Sequence, residues 1–305
     1  MADLVTSSVP NTAAAHLADL RAQVNVELSR AFSSQDRTVA PLGAAIDYSL
    51  LAPGKRVRPV LFLAAAEACG WDGPTLARSA AAFELVHAYS LVHDDLPAMD
   101  DDELRRGVPT SHTVYGEATA VLVGDALQAR AFELVATDGQ ISAEARIAIV
   151  GVLARSAGWR GMVGGQYLDI DERRDDRTDL VALRDVHDRK TGALIAGAVE
   201  AGAIAAGADD SVVAACARFG RELGWLFQLV DDLLDATGDA ASLGKTPGKD
   251  AQSGKVTAVD AYGGVDGLRS AAQQQANLCV SLATALPGGG GRLGAIARFV
   301  HDRDH

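Results

Sequence analysis

Apolar residues recur every three to four positions along most of this chain, and that spacing predicts helices. Residues 12–32 (TAAAHLADLRAQVNVELSRAF) carry the pattern with little to break it. Pro41, Pro53, Pro59 and Pro74 punctuate further helical stretches, of which 61–69 and 76–96 are apolar enough to be buried. The pattern resumes at about 114–137, 142–157, 180–206, 211–236 and 268–286, with Thr178 and Asp179 placed as N-caps for the helix opening at 180. Polar residues with Pro97, Gly107 and Pro109 make 97–110 a loop. The charge run 171–179 (DERRDDRTD) is expected to stay solvated. The stretch 238–254, rich in Gly, Lys and Asp, reads as another loop, and four glycines at 288–291 form a hinge before a last short helix. No alternating stretch is long enough for a sheet, and no internal repeat is convincing. The expectation is an all-α, single-domain helical bundle over residues 1–305.

Composition supports this and narrows the partners. Alanine and leucine dominate a 48% hydrophobic chain of 305 residues with only 5% aromatics, which favours helices and allows a sizeable core. A net charge of −12 makes nucleic acid an unsuitable general partner. Cys69, Cys216 and Cys279 are far apart in sequence without CxxC spacing, so neither a zinc site nor a disulfide framework is expected, only buried small apolar residues. The N-terminus lacks a basic stretch followed by an apolar run, and no segment approaches ~18 uninterrupted apolar residues, so the expected setting is cytoplasmic, without a membrane span.

Two aspartate clusters carry the chemistry. In WLFQLVDDLLDATGD, Asp231 and Asp235 lie one turn apart on one face of an apolar helix. Their repulsion could be relieved by a divalent cation or simply by water, and the motif alone does not decide. The first cluster, HDDLPAMDDDELRR, is denser: Asp94, Asp95, Asp100, Asp101, Asp102 and Glu103 fall within ten positions. Six residues advance about 240° on a helix, so Asp94 and Asp100 share no face unless Pro97 ends the helix and the chain curls back. Arg105 and Arg106 follow, either neutralising these acids or gripping phosphate, whose oxygens suit guanidinium geometry. Lys55, Arg56 and Arg58 lie in PGKRVRP at a predicted helix start, where free N–H groups favour anions. Lys190 and Thr191 sit in HDRKTG, and Lys245, Lys249 and Lys255 follow the second cluster. His87, seven residues before Asp94, shares its face and reads either as a core histidine or as a group at the same cavity.

Taken in order, FELVHAYSLVHDDLPAMDDDELRRGVPTSH, GDAL, HDRKTGALI, FQLVDDLLDATGD and LGKTPGKD…SGK resemble the trans-polyprenyl diphosphate synthases, especially the bacterial farnesyl diphosphate synthases. The resemblance implies an all-α bundle with a deep central cavity, a homodimer, and three magnesium ions per site, with manganese as a substitute. It implies condensation of isopentenyl diphosphate with an allylic diphosphate by ionisation, condensation and elimination. By motif, Asp94, Asp95 and Asp100, then Asp231 and Asp235, would serve the metal. Arg105, Lys190, Thr191, Gln228, Lys245 and Lys255 would hold the allylic diphosphate, with Arg105, Lys190 and Lys245 as the catalytic cations. Lys55, Arg58, His87 and Arg106 would hold isopentenyl diphosphate, while Gln166 and Asp169 match a further active-site stretch. Tyr89 and Ser90, about a turn below Asp94, would set product length; an aromatic at Tyr89 with the two-residue Pro97–Ala98 expansion implies a C15 product, with C20 or C10 as the alternatives. Two departures stand out: Trp225, where a smaller aliphatic residue is expected and which would narrow a cavity it faced, and VTAVDAYGGVDG after Lys255. The intact DDLLD argues against a terpene cyclase, and the retention of both clusters argues against a non-catalytic partner subunit. No Glu-x-x-His pair suggests a di-metal bundle.

Overall fold

The computed structural model describes residues 9–32, 39–171, 180–237 and 258–303. The chain opens with α1 (Val9–Arg30), α2 (Ala40–Leu50), α3 (Val57–Ala68) and α4 (Ala77–Asp94). A two-residue antiparallel hairpin, β1 (Leu104–Arg105) and β2 (Val108–Pro109), interrupts the loop after α4. Helices α5 (Ser111–Tyr115), α6 (Glu117–Ala136), α7 (Ala143–Ala157), α8 (Met162–Ile170) and α9 (Leu180–His187) follow. A π-turn at Asp188–Gly192 leads into α10 (Ala193–Ala205) and α11 (Asp210–Thr237). The described chain ends with α12 (Ala258–Ala261), α13 (Val265–Thr284) and α14 (Gly291–Asp302).

The centre of the bundle follows from where the sequence is apolar on every side. Helix α10 (ALIAGAVEAGAIA) has no polar face to offer water, and it packs among α3, α7 and α11. Helix α4 is buried along most of its length and packs on α3 and α6. Phe62, Phe83 and Phe219 from α3, α4 and α11 are each 0% exposed. Helix α11 is amphipathic: Cys216, Phe219, Leu223, Leu226 and Val230 line its buried face, and its last turns carry Asp231 and Asp235 toward the surface.

The helical class is as expected, and the departures are local. The predicted helix 114–137 is broken at Gly116, whose φ of 85° no helix accommodates. The predicted helix 180–206 contains the wider turn that carries Lys190 and Thr191; such π-turns gather at functional sites. Helix α8 was not expected, because GMVGGQYLDI is short and two interior glycines disfavour it. Tertiary approach explains them: a Cβ on Gly165 would lie 2.2 Å from the Lys190 backbone nitrogen, and one on Gly224 would lie 2.6 Å from the Gly192 Cα. Only glycine lets α8 and α11 close on the π-turn from two sides.

Two further differences concern side chains. Cys69 and Cys216 are far apart in sequence, yet their Sγ atoms lie 3.9 Å apart between the end of α3 and α11. Trp225 is buried, stacked near the His187 ring (6.1 Å) and under the Arg184 guanidinium (5.1 Å) of α9. The Thr178–Asp179 cap, most of the charge run and the loop at 238–254 lie outside the described residues.

Candidate diphosphate site

The first acidic cluster is made by the way α4 stops. After Asp94 the chain turns through Pro97, and its amides fold back: Asp100 N–H donates to the Asp94 carbonyl (2.9 Å), and Asp101 N–H to that of Leu96 (3.2 Å). Asp101 takes a left-handed φ of 51° to do so. This is the curl that brings Asp100 beside Asp94. Burial, reinforced by Asp100 and Asp95 and opposed chiefly by Lys190, pushes the Asp94 carboxyl up from 3.8 to about 6. Asp95 is spoken for. Arg105 grips it with Nε at 2.7 and 2.9 Å and Nη2 at 2.5 Å, a two-pronged pair that also fixes Arg105.

Lys190 approaches the same carboxylates from the π-turn. Its Nζ donates to Asp169 Oδ2 of α8 at 2.7 Å. Burial works against its charge, but Asp169, Asp94 and Asp100 outweigh that and hold the ammonium above its ordinary range. Thr191 beside it and Gln228 on α11 are half-buried. Buried Gln166, one turn before Asp169, has neither side-chain polar atom hydrogen-bonded within the protein.

A second, cationic group gathers at the start of α3. Arg58 presents a buried Nε with no protein partner and lies within electrostatic reach of Glu84, Asp231 and Arg106. Lys55 is lowered by partial burial, then by Arg303 and Arg106, against the pull of Asp231. Arg106 donates to the Pro53 carbonyl at 2.6 Å. Burial, followed by Arg58, Arg106, Arg105 and Arg56, pushes His87 well below its ordinary range, so it is neutral at pH 7. Arg56 departs from the expectation that it faces an anion. At φ 51° it turns inward, is 7% exposed, and pairs with Glu84 (2.8 Å) and the carbonyls of Leu50 (2.9 Å) and Ala52 (2.8 Å). It is a structural clamp on the turn that displays Lys55 and Arg58.

The second acidic cluster ends α11. Asp231 is bonded by Arg303, which also donates to the Phe227 carbonyl (3.0 Å) and stacks 3.9 Å over the Phe227 ring. Asp232 accepts from the Ala258 N–H (3.0 Å) and so starts α12. Asp235 is exposed one turn beyond Asp231. Arg303 went unassigned in the sequence, although an arginine just past the apolar stripe of α14 was the available signal. Glu84, a lone acid inside the apolar FELV run, likewise signalled a buried partner. Tyr89 is 5% exposed and packed at 5.8 Å on His93, and its buried hydroxyl has no hydrogen-bond partner among the described residues. The Ser90 hydroxyl is turned onto the His87 carbonyl (2.9 Å). Lys245, Lys249 and Lys255 lie outside the described residues.

These donors suit a hard divalent cation that is shared with a ligand. Among the described residues, no three acidic, histidine or cysteine side chains converge into a closed metal cage. Magnesium does not require one, since it keeps waters and takes one or two carboxylates together with phosphate oxygens. Asp94, buried and crowded by Asp100 and Asp95, has the donor chemistry for that role.

The polyprenyl synthetase family model matches residues 39–279. The chain is 41% identical over 272 residues to a farnesyl diphosphate synthase of Haemophilus influenzae, covering 88% of this chain and 90% of the relative. It is 47% identical over 211 residues to a chloroplastic geranylgeranyl pyrophosphate synthase of Catharanthus roseus, covering 69% of this chain and 59% of that longer protein. Among solved structures, an FPP/GFPP synthase from Zymomonas mobilis superposes with a TM-score of 0.84 at 31% identity, covering 95% of this chain and 99% of the other. A geranyltransferase from Helicobacter pylori, complexed with magnesium and isoprenyl diphosphate, gives 0.82 at 29% identity, covering 97% and 99%.

Proposed function

The chain belongs to the polyprenyl synthetase family, and from that premise we propose that it condenses isopentenyl diphosphate with dimethylallyl and then geranyl diphosphate to make farnesyl diphosphate. One observation carries the reading. In a protein of net charge −12, Arg58 and Arg106 act on neutral His87, Lys55 lies within electrostatic reach of Arg106, and the buried Arg58 Nε lacks a protein partner. A cationic pocket of that kind, set between two carboxylate clusters, calls for an anion with several oxygens.

In this proposal Lys55, Arg58, His87 and Arg106 hold isopentenyl diphosphate, with neutral His87 donating an N–H without repelling the neighbouring arginines. Arg105, Lys190, Thr191 and Gln228, joined by Lys245 and Lys255, hold the allylic diphosphate. Asp94, Asp100, Asp231 and Asp235 hold magnesium, three ions per site, and Asp95 acts by fixing Arg105. When bound, the metal supplies positive charge against the departing diphosphate. In this proposal Arg105, Lys190 and Lys245 serve as the catalytic cations, opposing the negative charge that develops on the departing diphosphate. The charges of Arg105 and Lys190 are preorganised by Asp95 and Asp169, so little reorganisation is needed as negative charge develops. Apolar walls keep water from the allylic cation, and the released diphosphate takes the proton lost at the end. Tyr89 acts as the floor that stops growth at C15; Ser90, occupied with the His87 carbonyl, contributes less.

The same reading makes residues 1–305 one synthase domain, working in the cytoplasm as a homodimer. No helix among the described residues is long and apolar enough to cross a membrane. Ile147 (75% exposed) and Trp159 (74%) offer apolar surface to a second copy. The test is mass spectrometry of products formed from dimethylallyl and isopentenyl diphosphates with magnesium. A C15 product is expected. A dominant C20 product would move the reading to a geranylgeranyl synthase, and no product with any allylic primer would end it.

A further inference from the structure

Outside the site just described, two of the chain's three cysteines form a cluster that the proposed reaction does not use. Cys69 caps the end of α3, its amide bonded to the Ala65 (3.0 Å) and Ala66 (3.1 Å) carbonyls, so its backbone is fixed. Cys216 stands in the second turn of α11 and is fully buried. Although 147 positions separate them, their Sγ atoms lie 3.9 Å apart. A disulfide needs the sulfurs about 2 Å apart, so closure requires a movement of about 2 Å, within reach of side-chain rotation on two fixed helices. Cys69 is partly exposed while Cys216 is not, which gives the pair an entry sulfur and a resolving sulfur. The third cysteine, Cys279, is buried on α13, and its thiol is pushed up to about 12, first by burial and then by Glu222.

We infer that Cys69 and Cys216 are a thiol–disulfide modification site that, on oxidation by a low-molecular-weight disulfide, staples α3 to α11. The bonds balance as follows. The Cys69 thiolate attacks one sulfur of the oxidant, forming a mixed disulfide and releasing one thiolate. Cys216 then attacks Cys69 Sγ, displacing the second thiolate as its own proton is given up. One disulfide is reduced to two thiols, and two protein thiols become one disulfide. The contact between the two thiols lowers Cys69 below its ordinary range and, with burial, raises Cys216 above it, in keeping with Cys69 as the attacking partner and Cys216 as the one that gives up its proton only in the second step. The staple matters for the site because α3 begins at Arg58's turn and the last two turns of α11 carry Asp231. It joins the two helices at their ends remote from the substrates, about 22 Å from Asp231 along α11.

The experiment equilibrates the full-length protein with oxidised glutathione, blocks remaining thiols with an alkylating agent, and maps peptides without reduction. The expected result is a Cys69–Cys216 cross-linked peptide, one alkylated thiol (Cys279), and an unfolding temperature raised by several degrees and restored by dithiothreitol. Cys216→Ser should stop the reaction at a glutathione adduct on Cys69, with no rise in unfolding temperature. The inference is overturned if wild-type protein accumulates that same adduct with Cys216 still alkylated. It is equally overturned if all three thiols stay alkylated, or if the cross-link forms without stabilising the fold.

Discussion

Replacing Asp94 with asparagine should stabilise the metal-free protein while destroying its proposed activity. Burial and the neighbouring Asp100 and Asp95 outweigh Lys190 and raise the Asp94 carboxyl from 3.8 to about 6. A folded-state value above the unfolded one means the proton is bound more tightly in the native protein. The group's favourable contribution is therefore complete below about pH 4 and lost as pH rises through about 6. At pH 8 the wild type carries an ionised, crowded Asp94, and the gap between 3.8 and about 6 amounts to about 3 kcal/mol of destabilisation. The amide of an asparagine keeps the shape without the charge, so Asp94→Asn should gain up to about 3 kcal/mol at pH 8 and almost nothing at pH 4. Urea unfolding in EDTA across that range is the assay, with chelator present so that no cation repays the repulsion. A gain that is absent at pH 8, or equally large at pH 4, would refute the idea that crowded carboxylates store this energy for a cation.

Glu84→Ala should cost about 3–5 kcal/mol of stability, because it strands the buried Arg56 guanidinium; denaturant melts would show it, and a loss under about 1 kcal/mol would contradict the clamp. Arg58→Gln should raise KM for isopentenyl diphosphate about 10- to 100-fold and leave KM for the allylic substrate nearly unchanged, as steady-state kinetics with each substrate varied would reveal. Tyr89→Ala should lengthen the products beyond wild type's; if chromatography finds them no longer, Tyr89 is not the floor.

How much was legible in advance depended on whether the cause was local. The apolar runs of α4, α10 and α11 announced buried helices, and Pro97 together with the impossible phase of Asp94 and Asp100 announced the curl now seen in the Asp100-to-Asp94 backbone hydrogen bond. What could not be read depends on distant partners. Helix α8 exists because Gly165 can close on the Lys190 backbone, which its own glycine-rich sequence does not reveal. Arg56 and Arg58 sit two positions apart in one cationic turn, yet a left-handed φ at Arg56 sends it to Glu84 and leaves Arg58 Nε without a partner. Arg303 reaches Asp231 across 72 positions, and Cys69 reaches Cys216 across 147, separations over which no spacing rule operates.

The most direct test of a shared metal–diphosphate site is a crystal soaked with manganese and a non-ionising allylic diphosphate analogue, read by anomalous scattering. Peaks beside Asp94 and Asp100 and a further peak beside Asp231, with the diphosphate between them and Arg303 withdrawn from Asp231, are the predicted result. Manganese at one cluster only, or a diphosphate bound away from both, would contradict it.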